Sequence, residues 1–307
     1  MFTWRDGERL IRFGPLGVVE ERYALLTTPR AALGGLTDAA TEVMYVPPGR
    51  VDEISAGLLA RHSFASDVLL VGLGGGRVID TTKAIAGAVG ARCGAIPTTL
   101  SGAEMTPFHR TPAGVEGARL IRPALVLADP DLMSSAPPQT LAATTMNALA
   151  HAMEALYTPL ANPVASMAAL RAASLLATDD RESLALGALL AGYASGSTGI
   201  AMHHAICQTL VRMAGTPHAE TNAVMLPHSA RLMEGRAPEA LAEFRAALGA
   251  DLAALAARSG HTRLAGLGVE EQQLIRVAEA VAEHPLLGNT PEPPDAAELL
   301  ATLREAL

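Results

Sequence analysis

Aromatic residues make up only 3% of the 307 residues, so the chain offers no platform on which nucleic-acid bases could stack. Positive charge is short as well. The net charge of −8 at pH 7 argues against a nucleic-acid or anionic-membrane partner. Cysteine is scarce: Cys93 and Cys207 lie in apolar segments without metal-ligand spacing and read as reduced thiols of a cytoplasmic protein. The N-terminal stretch MFTWRDGERLIRFG alternates charged with apolar residues and has no continuous apolar core, so it is not a signal peptide. One uncharged stretch, Leu184 to Met202, contains four glycines with Ser195, Ser197 and Thr198 and leads straight into His203 and His204. It reads as a helix buried among helices rather than a membrane span, and a soluble protein is expected.

Half the residues are apolar, which excludes disorder, and the length suits two domains. Up to about residue 130, strand candidates Tyr23–Thr27, Val43–Val46, Val68–Leu73, Ala95–Ile96 and Ala124–Ala128 alternate with helices at Val51–His62 and Val78–Val89. Strands separated by helices imply a parallel sheet covered on both faces, with ligands bound beyond the carboxyl ends of the strands. From Pro137 onward the pattern is alanine- and leucine-rich helix, broken at Pro159, Pro163, Gly215 and Pro227. Gly288–Pro293 reads as a loop before a last amphipathic helix, Ala296–Leu307.

Polar groups gather inside that apolar second half. His203 and His204 sit in a helical run that Gly215-Thr216-Pro217 ends, His218 follows in a loop, and Pro227-His228 closes a second run. Helix neighbours point about 100° apart, so His203 and His204 cannot serve one site equally, whereas His204 shares a face with Gln208. Asn147 and His151 form a matching pair upstream. Polar side chains on apolar helices need partners, so two such helices with His218 beside them predict a polar pocket. In the first half, Gly74-Gly75-Gly76 joins a strand to a helix, as a phosphate-binding turn does. The third glycine of the usual dinucleotide fingerprint is missing, and a tight turn without ligand fits equally well. The next strand leads into Pro97–Thr106, whose hydroxyls suit either a ligand or a helix cap.

The segments GGGRVIDTTKAIA, IPTTLSGAEMT, DPDLMSSAPPQTLAATTMNALAHAMEALY and HHAICQTLVRMAGTPHAETNAVMLPH together resemble the iron-containing alcohol dehydrogenase family. The likeness is nearer to its maleylacetate reductase branch, through PTT..G.EMT, MNALAHAMEALY, HH..C.TL and PHAE. It implies the dehydroquinate synthase-like fold: an α/β dinucleotide-binding domain over residues 1–135 and an all-α domain with the substrate and metal site over 136–307. NAD(H) or NADP(H) as cofactor, a redox reaction in the cleft and a homodimer are implied too. Carried over by position, Gly74, Gly75 and Gly76 cradle the pyrophosphate with Asp80 nearby, Thr98 and Thr99 line the nicotinamide side, and Thr28 and Pro29 mark the adenosine end. Metal-using members hold iron or zinc at the positions of Asn147, His151, His204 and His218.

Three departures from the family pattern matter. Asn147 replaces the anionic ligand, as in the maleylacetate reductase pattern, leaving a set that would hold zinc or iron only weakly. Gln208 stands where a catalytic His is usual and cannot transfer a proton at neutral pH. Arg77 replaces the usual Ser of the glycine turn and offers a cation to the pyrophosphate. The connection around Ala177–Ser183 is also short. The expected activity is an NAD(P)H-dependent, metal-free reduction of a keto acid or conjugated enone, with His151, His204 and His218 meeting the substrate oxygen. His109 and Arg110 are expected near the substrate, where a guanidinium would fork a carboxylate. A metal-dependent alcohol dehydrogenase and a nucleotide-binding protein with degenerate catalysis are the alternatives.

Overall fold

The alternation of charged and apolar side chains at the N-terminus, taken above only as evidence against a leader, is itself a strand pattern. In the computed structural model, which describes all residues from Met1 to Leu307, it folds as strands β1 (Phe2–Asp6) and β2 (Arg9–Phe13). They pair antiparallel from Phe2 opposite Phe13 to Asp6 opposite Arg9, around a two-residue turn with Gly7 at φ 61°. Neither strand is among the candidates read from the sequence.

The chain divides into two compact units, Met1–Ser135 and Ala136–Leu307. The first continues with β3 (Tyr23–Thr27), α1 (Gly34–Ala39), β4 (Val43–Tyr45), α2 (Val51–Leu59), β5 (Leu69–Gly74) and α3 (Gly76–Val89). It ends with β6 (Cys93–Pro97), β7 (Leu125–Ala128) and a single turn, α4 (Pro130–Met133). The seven strands lie in the order β1-β2-β7-β6-β5-β3-β4, and every pair except β1–β2 is parallel. Both faces are covered, so successive residues of one strand enter different cores. Leu26 and Leu70 pack with Val78, Ile85 and Leu58, while Leu25 and Val71 pack with Leu36 and Leu127. That is why the strands read as unbroken apolar runs. The strand order reverses between β3 and β5, and such a switch point opens a crevice at the carboxyl ends of the two strands.

The second unit is helical throughout: α5 (Pro138–Ala155), α6 (Pro163–Leu176), α7 (Arg181–Thr198), α8 (Met202–Ala214) and α9 (His218–Met233) are followed by α10 (Pro238–Leu248), α11 (Leu252–Ala257), α12 (Glu271–Ala282) and α13 (Ala296–Ala306). Ala143 to Ala155 of α5 are all buried, which makes this helix the centre of the unit. The run read as one segment from Leu184 to Met202 is two helices, α7 and the start of α8, bent by 100°. Gly199 at φ 88° makes the break, and no single helix is long and apolar enough to cross a membrane. Between α6 and α7 the connection is four residues, Ala177 to Asp180, and the Asp180 carboxylate caps α7 by accepting from the Ser183 N–H at 2.8 Å. Two expectations about α9 do not hold. His218 is the first residue of this helix and not part of a loop, and Pro227 lies inside the helix, which runs on to Met233.

Candidate active site

At the β3/β5 switch point the glycine turn is shaped by what surrounds it. A Cβ on Gly74, at φ 157°, would lie 2.7 Å from Val78 Cγ2, so no side chain fits there. On Gly75 a Cβ would lie 3.1 Å from Thr99 Cγ2, and on Gly76 3.2 Å from Ser101 Cβ. Glycine turn and hydroxyl run, read separately in the sequence, therefore meet. The helix that starts at Gly76 has no side-chain cap and no acidic residue in its first turn, so its leading N–H groups and positive dipole end suit an anion.

The other expected cofactor residues border the same crevice. Thr27 Oγ1 donates to the Leu73 carbonyl at 2.9 Å, and the Thr98 N–H to the Gly74 carbonyl at 3.0 Å. The Thr28 carbonyl accepts from the N–H groups of Ala31 and Ala32, which folds the chain back after β3 and leaves Pro29 exposed. Thr99 Oγ1 is buried without a partner in the protein. Arg77 is exposed on the first turn of α3.

Asp80 has a different occupation. Its carboxylate lies 2.8 Å from Nζ of Lys83, a side chain with no solvent exposure. That ammonium also donates to the carbonyls of Ala103 at 2.9 Å, Thr106 at 3.1 Å and Phe108 at 2.8 Å, and so ties the loop after the hydroxyl run to α3. Lys83 was overlooked in the sequence, although an Asp and a Lys three apart on an apolar helix signal such a pair. Beside it, the Glu104 carboxyl is fully buried with no hydrogen-bond partner, and burial pushes its pKa up to about 7. His109 Nδ1 lies 3.1 Å from the Arg110 carbonyl, and its Nε2 accepts the Ile121 N–H at 3.3 Å, so the ring fastens its own loop. The exposed Arg110 faces Asp52 at 3.9 Å.

In the second unit, α5 carries Asn147, His151 and Glu154 on one face at intervals of four and three residues. The His151 ring stacks on His204 of α8, with centroids 4.3 Å apart and planes 24° from parallel. His203 meets His204 edge-on at 5.3 Å. All three rings are buried. Glu154, wholly buried, meets His204 Nδ1 at 2.5 Å and accepts the His204 backbone N–H at 3.3 Å. His203 does not face the pocket: Ser229 Oγ lies 3.0 Å from its Nδ1 and Asn222 Oδ1 2.9 Å from its Nε2. The Asn222 amide donates to the His218 carbonyl at 2.7 Å and lies 3.4 Å from His218 Nε2, which fixes that exposed residue at the head of α9. Gln208, half-buried, follows His204 by one turn.

Burial sets the charge of this cluster. It lowers His203 to about 4 and His151 well below the usual imidazole range. On His204, burial first and the His218 ring second push the imidazole down to about 3. Burial raises Glu154, while His203 and the N–H groups of Ala201 and His204 hold it down. The His204 Nε2 and His151 Nδ1 atoms are buried and make no hydrogen bond within the protein.

The donor arrangement does not fit an iron or zinc ion. Stacked rings aim their in-plane lone pairs side by side instead of at one point, and the one carboxylate is turned onto Nδ1 of His204. Among the histidines, cysteines and acidic residues, no three converge as metal ligands. Glu154 joins the histidine cluster although it is not among the residues expected there from the sequence. Its signal was a carboxylate three residues after His151 on a helix otherwise without charge.

A doubly wound sheet with a glycine turn at its switch point, and a helical unit with histidines buried on α5 and α8 beside the exposed His218, fit the class of nucleotide-dependent oxidoreductases. Comparison with known proteins makes this specific. A family profile described as the C-terminal part of the Fe-containing alcohol dehydrogenase family matches residues 141–307. The chain is 33% identical to a maleylacetate reductase of Rhizobium sp. strain MTP-10005, over 93% of this chain and 85% of that protein. It is 35% identical to maleylacetate reductase 1 of Rhodococcus opacus, over 70% of this chain and 67% of the relative. The crystal structure of the Rhizobium enzyme superposes with a TM-score of 0.83 at 30% identity, covering 100% of this chain and 97% of the other. The chain belongs to the Fe-containing alcohol dehydrogenase family.

Proposed function

We propose that this chain is an NAD(P)H-dependent reductase of the maleylacetate reductase type, acting on a keto acid or conjugated enone without a metal ion. The cluster of imidazoles on α5, α8 and α9, with His151 stacked on His204 over a buried Glu154, carries this reading. A reduction needs a hydride and a proton. NAD(P)H, bound over Gly74–Gly76 with its amide end toward Thr98 and Thr99, supplies the hydride. Thr99 Oγ1, buried and unpartnered, is placed to hydrogen-bond it. Arg77, on the open side of the turn, pairs with the pyrophosphate.

The histidines supply what remains. Neutral imidazoles can give an N–H to a developing oxyanion without first losing charge to water. In this scheme His151 hydrogen-bonds the developing oxyanion, the exposed His218 passes it a proton drawn from solvent, and His204 orients the substrate. Gln208 can hydrogen-bond the substrate but does not exchange a proton with it. A homodimer belongs to the same reading.

The test is NADH and NADPH consumption by purified protein with maleylacetate and with neutral aldehydes, before and after chelator treatment. Turnover of maleylacetate that survives the chelator is expected. Turnover that chelator abolishes and zinc or iron restores would replace this reading with a metal-dependent alcohol dehydrogenase. No turnover of any keto acid would leave a nucleotide-binding protein with degenerate catalysis. Sedimentation of the same sample reads the oligomeric state.

A further inference from the structure

Helix α8 begins without the side-chain cap such a helix usually has. Its N-cap residue is Ala201, at φ −135° and ψ −141°, and no cap hydrogen bond comes from it. The missing acceptor arrives from another helix. Glu154 of α5, with no solvent exposure, places Oε1 3.3 Å from the His204 backbone nitrogen and Oε2 2.5 Å from His204 Nδ1. An anion at the positive end of a helix is favourably placed. The same carboxylate therefore caps α8 and touches the ring of a residue in its first turn.

We propose that Glu154 is a positioning residue that locks His204 as the Nδ1–H tautomer, so that its Nε2 serves as a hydrogen-bond acceptor for the substrate. A backbone N–H can only donate, and both oxygens of the ionised carboxylate accept, so in that state the hydrogen between Oε2 and Nδ1 belongs to the ring. A neutral imidazole carries one N–H. Once Nδ1 holds it, Nε2 keeps a lone pair, and Nε2 is the atom that is buried without a partner in the protein. The stacked His151 ring and the edge of His203 hold the plane in which that lone pair lies. His204 then receives a hydrogen bond from the substrate instead of polarising a carbonyl, which leaves proton donation to other groups. The tautomer assignment stands on this geometry with Glu154 ionised and His204 neutral, the state burial and the His218 ring favour for the imidazole; its consequence for turnover rests on the reading of this cluster as the active site.

Glu154→Gln gives a sharp test. The side chain keeps its shape, but one oxygen becomes NH2. Facing the fixed backbone N–H, the amide must present its oxygen there, which turns its NH2 toward Nδ1. The His204 tautomer then reverses, and Nε2 becomes a donor. A wrong tautomer in an otherwise intact site lowers kcat by about 100-fold or more.

Two measurements on protein labelled with 15N-histidine decide it. Long-range 1H–15N correlation spectra, with His204 assigned by its loss in His204→Gln, read which ring nitrogen is protonated. Steady-state kinetics with NADH and maleylacetate read kcat and KM separately. The expected result is Nδ1–H in the unaltered protein and Nε2–H in Glu154→Gln, with kcat down about 100-fold and the KM for NADH little changed. Nε2–H in the unaltered protein overturns the proposal, whether or not the variant folds. A reversed tautomer with unchanged kcat overturns the positioning role. Should the unaltered protein show no turnover at all, the proposed function fails, and the spectra alone still decide the tautomer.

Discussion

The two units each bury a polar cluster in an apolar interior, but they solve the problem differently. In the first, the buried Lys83 is surrounded by three backbone carbonyls and the Asp80 carboxylate, with Glu104 buried nearby. In the second, the polar groups are mostly imidazoles that burial keeps neutral, with Glu154 shared between a ring and a helix end. A charge with a full set of partners is costly to disturb, because removing it strands every partner at once. A neutral ring asks less of its surroundings and can leave one nitrogen unpaired. The first arrangement therefore suits holding a loop, and the second suits chemistry.

Removing the ammonium should have the largest effect. Lys83→Met leaves the Ala103, Thr106 and Phe108 carbonyls and Asp80 without their donor, which should cost about 3–5 kcal/mol. Urea denaturation of this variant beside His203→Gln checks the contrast. Equal losses in the two would erase the difference between the clusters.

The pH dependence separates the clusters next. His203 is lowered by burial to about 4, so the unfolded chain binds its proton first; its stabilising contribution is complete above the ordinary imidazole value and is lost as pH falls toward 4. Glu104 is raised by burial to about 7, and its sign is opposite: its contribution is complete below the ordinary carboxyl range and is lost as pH rises through 7. The two windows overlap between roughly pH 4.5 and 6.5, where the groups oppose one another. Glu104→Gln should remove the opposing limb, worth up to about 3 kcal/mol, so stability climbs more steeply with pH than in the unaltered protein. Midpoints of urea unfolding from pH 4 to 8 measure this, and parallel curves would contradict it.

On the cofactor side, Gly75→Val should weaken dinucleotide binding by about 100-fold, because a branched side chain fills the space of the phosphate. The fold will also feel it, since a Cβ there already sits 3.1 Å from Thr99 Cγ2; a stability loss of about 1–3 kcal/mol is expected alongside. Titration calorimetry with NADH on folded variant decides, and unchanged affinity would move the cofactor elsewhere.

The smallest expected effect concerns Gln208, one turn from His204 and half-buried. Gln208→His adds a group that can transfer a proton near neutral pH, and kcat on an accepted substrate should rise roughly tenfold. His218→Ala should lower it. A neutral or harmful Gln208→His together with a silent His218→Ala would remove the histidines from the proton path.

Periodicity and composition alone carried the sheet strands and helices that are locally self-consistent. Tyr23–Thr27 was read to its ends, and β5 with the start of α3 to within two residues, because apolar runs and glycines speak through neighbours in sequence. The first hairpin is legible too, in its alternation and its Asp6-Gly7 turn, a pattern that also rules out a continuous apolar leader core. His218 looked like a loop residue because Pro217 precedes it, yet proline is at home just before a helix. What the sequence alone determined was which residues could bear charge or a lone pair. Only the tertiary structure decided their roles: the Lys83 ammonium finds three carbonyls 20 to 25 residues away, and Glu154 reaches a helix 50 residues on. Whether a buried polar group is a clamp, a cap or a chemical tool depends on partners brought from distant segments, and local pattern carries no information about them.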